Sequence, residues 1–425
     1  GDRSMGPTRA IRIFGEACVE QAGEAIQCIP MIETRRALEN LDEILAVPGV
    51  DLVYVGPSDL SVNLGLGRGN NDGEPAFDEA LAEVLPRLRG AFTLVLADNE
   101  RIIGVRDPNG FRPLCLGRLD GGWVLASESP ALDVIGAHMV RELDPGEVMV
   151  IDRTGCRSMR PFSDDVVDPK LCLFEFVYFA RPDAVLYGKS VHHARVRMGE
   201  MLAAQAPVEA DLVMGVPESG MPAAEGYARA SGIPYGQGLV KNRYIGRTFI
   251  APTQAMRAAA VRMKLNPLRD STEGQRLVVV DDSIVRGTTT RAMVRMLRAA
   301  GAIEVHMRVS SPPYRWPCFY GMDTGARSEL LAANLTVDEI REYLEVDSLT
   351  YLTLDRLVEA TGAVGAGFCD ACLTGTYPID IPVNLSKGVL EVGEGPPPER
   401  AMPVRDGDPD MEMPTDAANR LFGRG

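Results

Sequence analysis

The sequence predicts an α/β protein whose alternation of strands and helices is interrupted by an antiparallel β region. Two observations carry this. From about residue 170, apolar runs such as DLVMG, RLVVVD and EVHMRV each lead through a polar turn into a helical pattern, which is the signature of a parallel sheet. Between 90 and 165 the runs FTLVLAD, RIIGVRD, WVLASES and EVMVIDR are separated only by Gly, Pro, Asp and Asn, which predicts antiparallel strands.

The remaining segments follow in order. Residues 1–70 again mix the two patterns: ALENLDEILAVPGV is amphipathic, and DLVYVGPSDL reads as a short strand closed by a polar turn. Residues 71–89 contain PAFDEALAEVLPRLR, an amphipathic helix that joins this piece to the β region. Residues 166–388 form the second α/β region. Residues 389–425 carry EVGEGPPPERAMPVRDGDPDMEMPTD, whose proline and acid content predicts a disordered tail. No internal repeat is present.

Composition narrows the classes of function. A formal net charge of −15 argues against an extended nucleic-acid surface, which needs clustered lysine and arginine. No stretch reaches the roughly 20 apolar residues that span a bilayer, and GDRSMGPTRAIRIF lacks the apolar core of a secretory signal, so a cytoplasmic protein is expected. Eight cysteines in 425 residues are no disulfide framework and are read as free thiols or metal ligands.

The most informative stretch is RLVVVDDSIVRGTTT, residues 276–290. A buried strand that ends in Asp281 and Asp282 sets two carboxylates side by side, which is costly unless something positive or rich in hydroxyls faces them. The following Ser283, Arg286, Gly287, Thr288, Thr289 and Thr290 bring backbone amides and hydroxyls to a helix N-terminus, a natural seat for phosphate. Neither GxxxxGK[ST] nor GxGxxG occurs there, so the expected ligand carries a phosphate and a diol but fits neither common nucleotide pattern. The bland alternative is a polar turn at a strand end.

This string resembles the phosphoribosylpyrophosphate (PRPP) loop of the type I phosphoribosyltransferases. The resemblance implies that Asp281 and Asp282 hold ribose hydroxyls and that the Gly-Thr turn holds the 5′-phosphate. It extends to a particular family. RDPNGFRPLCLG, FEFVYFARPD, GVPESG, KNRYIGRTFIAPTQAMR, VRMKLNPLR, SSPPYRWPCFYGMD and FCDACLTGTYP stand in the order found in the glutamine PRPP amidotransferases, across about seven tenths of the chain. The implied fold is a type I phosphoribosyltransferase sheet flanked by helices, preceded by a truncated antiparallel β region like that of N-terminal nucleophile hydrolases.

The family pattern implies a role for each block. Pro217, Glu218 and Ser219 would hold pyrophosphate, with Ser219, Asp281 and Asp282 at magnesium positions. Lys241, Tyr244 and Arg247 would lie on a flap that closes over PRPP and assists catalysis, although on spacing alone this is a solvated charge run. Ser219 alone would read as a helix cap. Cys172, Cys318, Cys369 and Cys372 fall at the positions of a [4Fe–4S] cluster, while CxxC by itself also fits zinc or redox work. Cys18, Cys28, Cys115 and Cys156 match nothing and are read as buried thiols. The resemblance also implies regulation by purine nucleotides and assembly as a homotetramer.

Two departures matter. Members of the family begin, once mature, with a cysteine whose thiol and free amine hydrolyse glutamine. Here the first residues are Gly1-Asp2-Arg3, and no later stretch carries the glutaminase blocks, so glutamine-dependent chemistry is expected to be lost and ammonia to be the nitrogen donor. In their place, residues 5–66 resemble part of a class II aldolase acting on 2-keto-3-deoxy sugar acids, a (β/α)₈ family. Glu33 and Asp59, 26 positions apart, match its divalent-metal pair, while Glu33 alone reads as a helix cap. That barrel needs about 250 residues. None of His138, His192, His193 and His306 lies in the fragment, so aldol chemistry is not expected. A non-catalytic protein that binds PRPP or purine nucleotides is the remaining alternative.

Overall fold

The computed structural model describes residues 31–47, 54–55, 62–65, 90–97, 101–242, 265–322, 324, 327–363, 365 and 367–379. The expected junction helix at 71–89 and tail at 389–425 lie outside them. The chain divides into two compact units. The first takes the described residues up to Arg195 with those of 317–324 and 358–393, and the second takes those of 196–316 and 325–357. Among the described residues, no helix is long and apolar enough to cross a membrane.

The first described elements of the first unit form a β-α-β piece. Met31–Ile32 pairs in parallel with Tyr54–Val55, and the short helices Arg35–Glu39 and Leu41–Leu45 intervene. Among the described residues, Ile32, Leu38 and Leu41 form its buried cluster. Thr34 caps the first helix by accepting from the Ala37 amide at 3.1 Å, so the cap falls to this residue and not to Glu33.

The antiparallel region has the expected character. Strands β1 (Thr93–Ala97), β2 (Ile102–Arg106), β3 (Cys115–Leu119), β4 (Gly122–Ala126), β5 (His138–Glu142), β6 (Val148–Asp152) and β7 (Gly155–Met159) form two sheets, in the orders β1-β2-β6-β7 and β4-β3-β5, with every pair antiparallel. Leu116 of β3 and Leu125 of β4 pack with Met149 and Ile151 of β6, so the sheets face each other across an apolar layer. Gly104 on β2 permits this approach, because a Cβ there would stand 2.7 Å from Leu125.

Asp107 ties the end of β2 to the turn that follows. It is fully buried and accepts from the amides of Asn109 at 3.0 Å, Phe111 at 3.4 Å and Phe92 at 3.3 Å. Burial pushes its carboxyl up to about 6. The folded state therefore keeps a proton that an unfolded aspartate releases near pH 4, and stability falls as pH rises from about 4 to about 6. The full effect is at most about 3 kcal/mol. Asp107→Asn should flatten this slope in urea denaturation at pH 4.5 and 6.5; an unaltered slope would assign it to another group.

The second unit is a parallel sheet. Strands β8 (Leu212–Gly215), β9 (Arg276–Asp281), β10 (Glu304–Val309) and β11 (Ser348–Tyr351) lie in that order, all parallel. The continuous apolar run of β9 follows from burial on both faces: Leu277, Val278, Val279 and Val280 are each 0% exposed. Helix α1 (Val191–Gln205) runs into this unit, and α2 (Met221–Ser231), α3 (Thr288–Ala299), α4 (Val337–Leu344) and α5 (Leu354–Thr361) follow. Helix α3 buries Thr290, Met293, Val294 and Leu297, one stripe at helical spacing. Helix α4 starts with a capping box in which Thr336 and Glu339 satisfy each other's amides.

Helices α1 and α2 touch backbone to backbone. A Cβ on Gly199 would stand 1.8 Å from the Ala223 carbonyl oxygen, and one on Gly226 would stand 1.9 Å from that of Val196. Neither neighbour can rotate away. Gly226→Ala should cost about 3 kcal/mol or more and lower Tm by roughly 10 °C in a thermal melt.

Candidate functional site

The carboxyl ends of β8 and β9 bring the predicted phosphate-binding segments together. The chain leaving β8 curls back: the Val216 amide donates to the Val280 carbonyl at 2.8 Å, and the Gly220 amide donates to the Val216 carbonyl at 3.0 Å. Pro217, Glu218 and Ser219 form the outer part of this curl, with a cis peptide between Pro217 and Glu218. Helix α2 begins directly after it. Gly220 is fitted against β9, since a Cβ there would meet the Val280 carbonyl oxygen at 2.4 Å.

Asp281 ends β9 and Asp282 follows it. The Asp282 amide donates to Asp281 Oδ1 at 2.9 Å, and Ser283 Oγ donates to the Asp282 carboxylate. Burial, and then the negative charge of Asp282, holds the Asp281 carboxyl well above the usual carboxylate range. The pair is thus an electrostatic cost in the protein alone that a cation would relieve. Carboxylates with neighbouring hydroxyls are the donor set that a hard divalent cation takes, so these residues fit magnesium.

Gly287 then turns the chain into α3 with φ +73°, a conformation suited to glycine. It cannot cap the helix with a side chain, and no acidic residue lies in the first turn, so neither kind of side chain competes with a phosphate for the amides of Thr288, Thr289 and Thr290. Thr288 and Thr289 are exposed and Thr290 is buried. Arg286 is engaged by Glu329 at 2.6 Å. Lys241, at the end of the strand Leu239–Lys241, pairs with Glu218 at 3.4 Å. Tyr244, Arg247 and Asp59 lie outside the described residues.

The four matched cysteines gather in the first unit. Leu171–Cys172 and Phe368–Cys369 form a parallel pair in which Cys172 and Cys369 stand in register. Cys369 belongs to a buried cluster with Phe111 and Tyr320, whose rings stack at 4.4 Å, and the half-buried Cys318 packs against it. Burial pushes the Cys369 thiol up to about 11, and raises Cys172 and Cys372 as well. The charges of Cys172, Cys318 and Cys369 add to the effect at Cys372, so the four thiols lie within electrostatic reach of one another. Among the described residues, no group of three or more His, Cys, Asp or Glu stands where it could hold a metal ion. The unmatched Cys115 is buried and Cys156 half-buried, both free; Cys18 and Cys28 lie outside the described residues.

Several supporting residues carry no signal in the sequence. Arg276 clamps Asp211 through Nε at 3.1 Å and Nη2 at 2.8 Å, fixing the start of β9 against the approach to β8. The clamp lowers the Asp211 carboxyl to about 2. Gly220 is visible as a letter in PESG, but its contact with Val280 depends on the curl.

A parallel sheet with paired acids, a glycine turn and an open helix N-terminus at one strand end defines a phosphoribosyltransferase domain. In agreement, residues 193–311 match the model of the phosphoribosyl transferase domain, and residues 5–105 match that of HpcH/HpaI aldolase/citrate lyase. The second match runs into β1 and β2, which pair within the antiparallel sheets described above.

The chain belongs to the amidophosphoribosyltransferase family. Of the amidophosphoribosyltransferases, that of Mycobacterium tuberculosis (strain ATCC 25618 / H37Rv) is 51% identical over 75% of this chain and 61% of its own length. That of Synechocystis sp. is 54% identical over 74% of this chain and 64% of its own. A solved structure described as the allosteric regulatory enzyme of purine biosynthesis superposes with a TM-score of 0.70 at 42% identity, covering 82% of this chain and 74% of that one. The glutamine PRPP amidotransferase from B. subtilis, solved with ADP and GMP, gives 0.69 at 42% identity, with 82% and 75% covered. The chain thus spans about three fifths of the length of the first of these relatives.

Proposed function

We propose that this chain transfers the phosphoribosyl group of PRPP to ammonia, giving 5-phosphoribosylamine and pyrophosphate, the step named by its family. The observation that supports this most strongly is the Asp281-Asp282 pair at the end of β9, followed in the chain by the uncapped N-terminus of α3, with the curl at Pro217–Gly220 hydrogen-bonded to the end of β9 through Val216. In this reading the acids hold the ribose hydroxyls, and Ser283 with Arg286, Gly287, Thr288, Thr289 and Thr290 takes the 5′-phosphate. Pro217, Glu218 and Ser219 take the pyrophosphate. Ser219, Asp281 and Asp282 would hold magnesium, which would supply positive charge to the pyrophosphate side of the site.

Reaction needs little else from the protein. As the bond from C1 to pyrophosphate lengthens, positive charge grows on the ribose ring, and Asp281 and Asp282 stabilise it electrostatically. Lys241, with Tyr244 and Arg247, neutralises the leaving group and screens the ring from water. Ammonia attacks C1 as a neutral nucleophile and needs no strong base.

The cysteines are assigned to a [4Fe–4S] cluster held by Cys172, Cys318, Cys369 and Cys372. A cluster spreads its thiolates wider than a single ion does, and it would replace the protons that burial now favours on these thiols. Its role is structural, joining the strand at Cys172 to the C-terminal segment. Anaerobic reconstitution should give a brown protein with about four irons per chain, and Cys369→Ser should lose the colour. Colour retained in that variant would remove the assignment. Glu33 and Asp59 are a vestige of the aldolase pair.

Calorimetry tests the main reading. PRPP with magnesium should bind, and ribose 5-phosphate, which lacks the pyrophosphate, should bind at least about tenfold more weakly. Equal affinity would remove the pyrophosphate site.

A further inference from the structure

Arg286 sits in the turn that receives the sugar phosphate, yet its guanidinium is engaged from outside that turn. Glu329 Oε2 meets Arg286 Nη2 at 2.6 Å, and both side chains are 49% exposed. An ion pair so exposed adds little to stability. Its surroundings, however, are built to hold Glu329 still.

Glu329 closes a short 3₁₀ turn, Arg327–Glu329. At one end, the Arg327 guanidinium lies over the Trp316 ring at 3.6 Å. At the other, Asn334 Nδ2 donates to the carbonyls of Ser328 at 2.9 Å and Leu330 at 2.8 Å, while Leu330 is 1% exposed. Two further contacts run from this segment to the phosphate turn. The Leu331 amide donates to the Val285 carbonyl at 2.8 Å, and the Leu331 side chain fills the space above Gly287, 2.5 Å from where a Cβ would stand. Thus Val285, Arg286 and Gly287 are each gripped by residues 329–331.

We infer that the Arg327–Leu331 segment is a splint for the phosphate turn, and that Glu329 is a positioning residue for PRPP, acting through Arg286. The inference rests on the PRPP reading of the site. A glycine turn that presents amides to a phosphate binds well only when its geometry is fixed beforehand, because ordering it during binding costs affinity. Leu331 holds the backbone on either side of Arg286, and Glu329 holds the one long, mobile side chain between them. A bare loop of this composition would leave Arg286 free to rotate into solvent.

The test is a double-mutant cycle on the full chain, with the dissociation constant of PRPP in magnesium measured by calorimetry. Glu329→Gln should weaken PRPP about fivefold, the effect an exposed ion pair of ordinary strength can carry, while Tm stays within about 2 °C. In the Arg286→Ala background the same substitution should have no further effect, because the residue it acts through is gone. Unchanged PRPP affinity in Glu329→Gln would overturn the inference, as would tighter binding or a full fivefold loss persisting without Arg286. A wild-type chain that binds no PRPP removes the underlying reading and the inference together.

Discussion

Asp281→Asn is expected to weaken binding of PRPP with magnesium at least about a hundredfold while leaving the protein by itself as stable as the parent or more so. The two effects have one cause. Burial and the adjacent Asp282 already hold the Asp281 carboxyl far above its ordinary range, so an ionised Asp281 is a cost to the fold at neutral pH. An amide removes that cost and still accepts from the Asp282 amide, as Oδ1 does now at 2.9 Å. It cannot supply the negative charge that a cation and a developing ribose cation require. Paired thermal melts with and without ligand check this: the variant should melt at or above the parent alone, and show no upward shift with PRPP. A fall in Tm without ligand would make Asp281 a structural residue.

Gly220→Ala should have the second largest effect, through position and not charge. The added methyl would stand 2.4 Å from the Val280 carbonyl oxygen and 3.0 Å from the Val216 nitrogen, both backbone atoms of the curl and of β9. Relief requires the segment Pro217–Gly220 to lift from the end of the strand, and a displacement of about 1 Å at a phosphate-binding group can cost a hundredfold. Pyrophosphate release per unit PRPP should fall by that order. Ribose 5-phosphate, which lacks the pyrophosphate proposed to bind this segment, should bind as before. Equal losses for both ligands would place the damage in the sheet instead.

How far these features are legible in the sequence differs by feature. The parallel and antiparallel regions are readable because β9 is apolar from Leu277 to Val280 without a break while β1 to β7 are short runs broken by turn residues. The turn proposed to take the phosphate stands out in the sequence because acids, glycine and threonines at a strand end have few other uses. What cannot be read is which residues hold that turn. Glu329 lies 43 positions from Arg286, and nothing in ARSELL marks it as a partner. Cys172 and Cys369 come into register only through a two-residue parallel pairing, which no periodicity announces. Gly199 and Gly226 look like ordinary helix-interior glycines until α1 and α2 are seen to touch through their backbones. In each case the missing information is a contact between distant parts of the chain.

The measurement closest to the central claim follows pyrophosphate released from PRPP and magnesium by the 425-residue chain, with ammonium titrated at a pH where free ammonia is present. Release that rises with ammonia, saturates with PRPP and vanishes in an Asp281→Asn, Asp282→Asn double variant is the predicted result. Binding of PRPP undiminished in that double variant, or no ammonia-dependent release from a chain that binds PRPP, would contradict it.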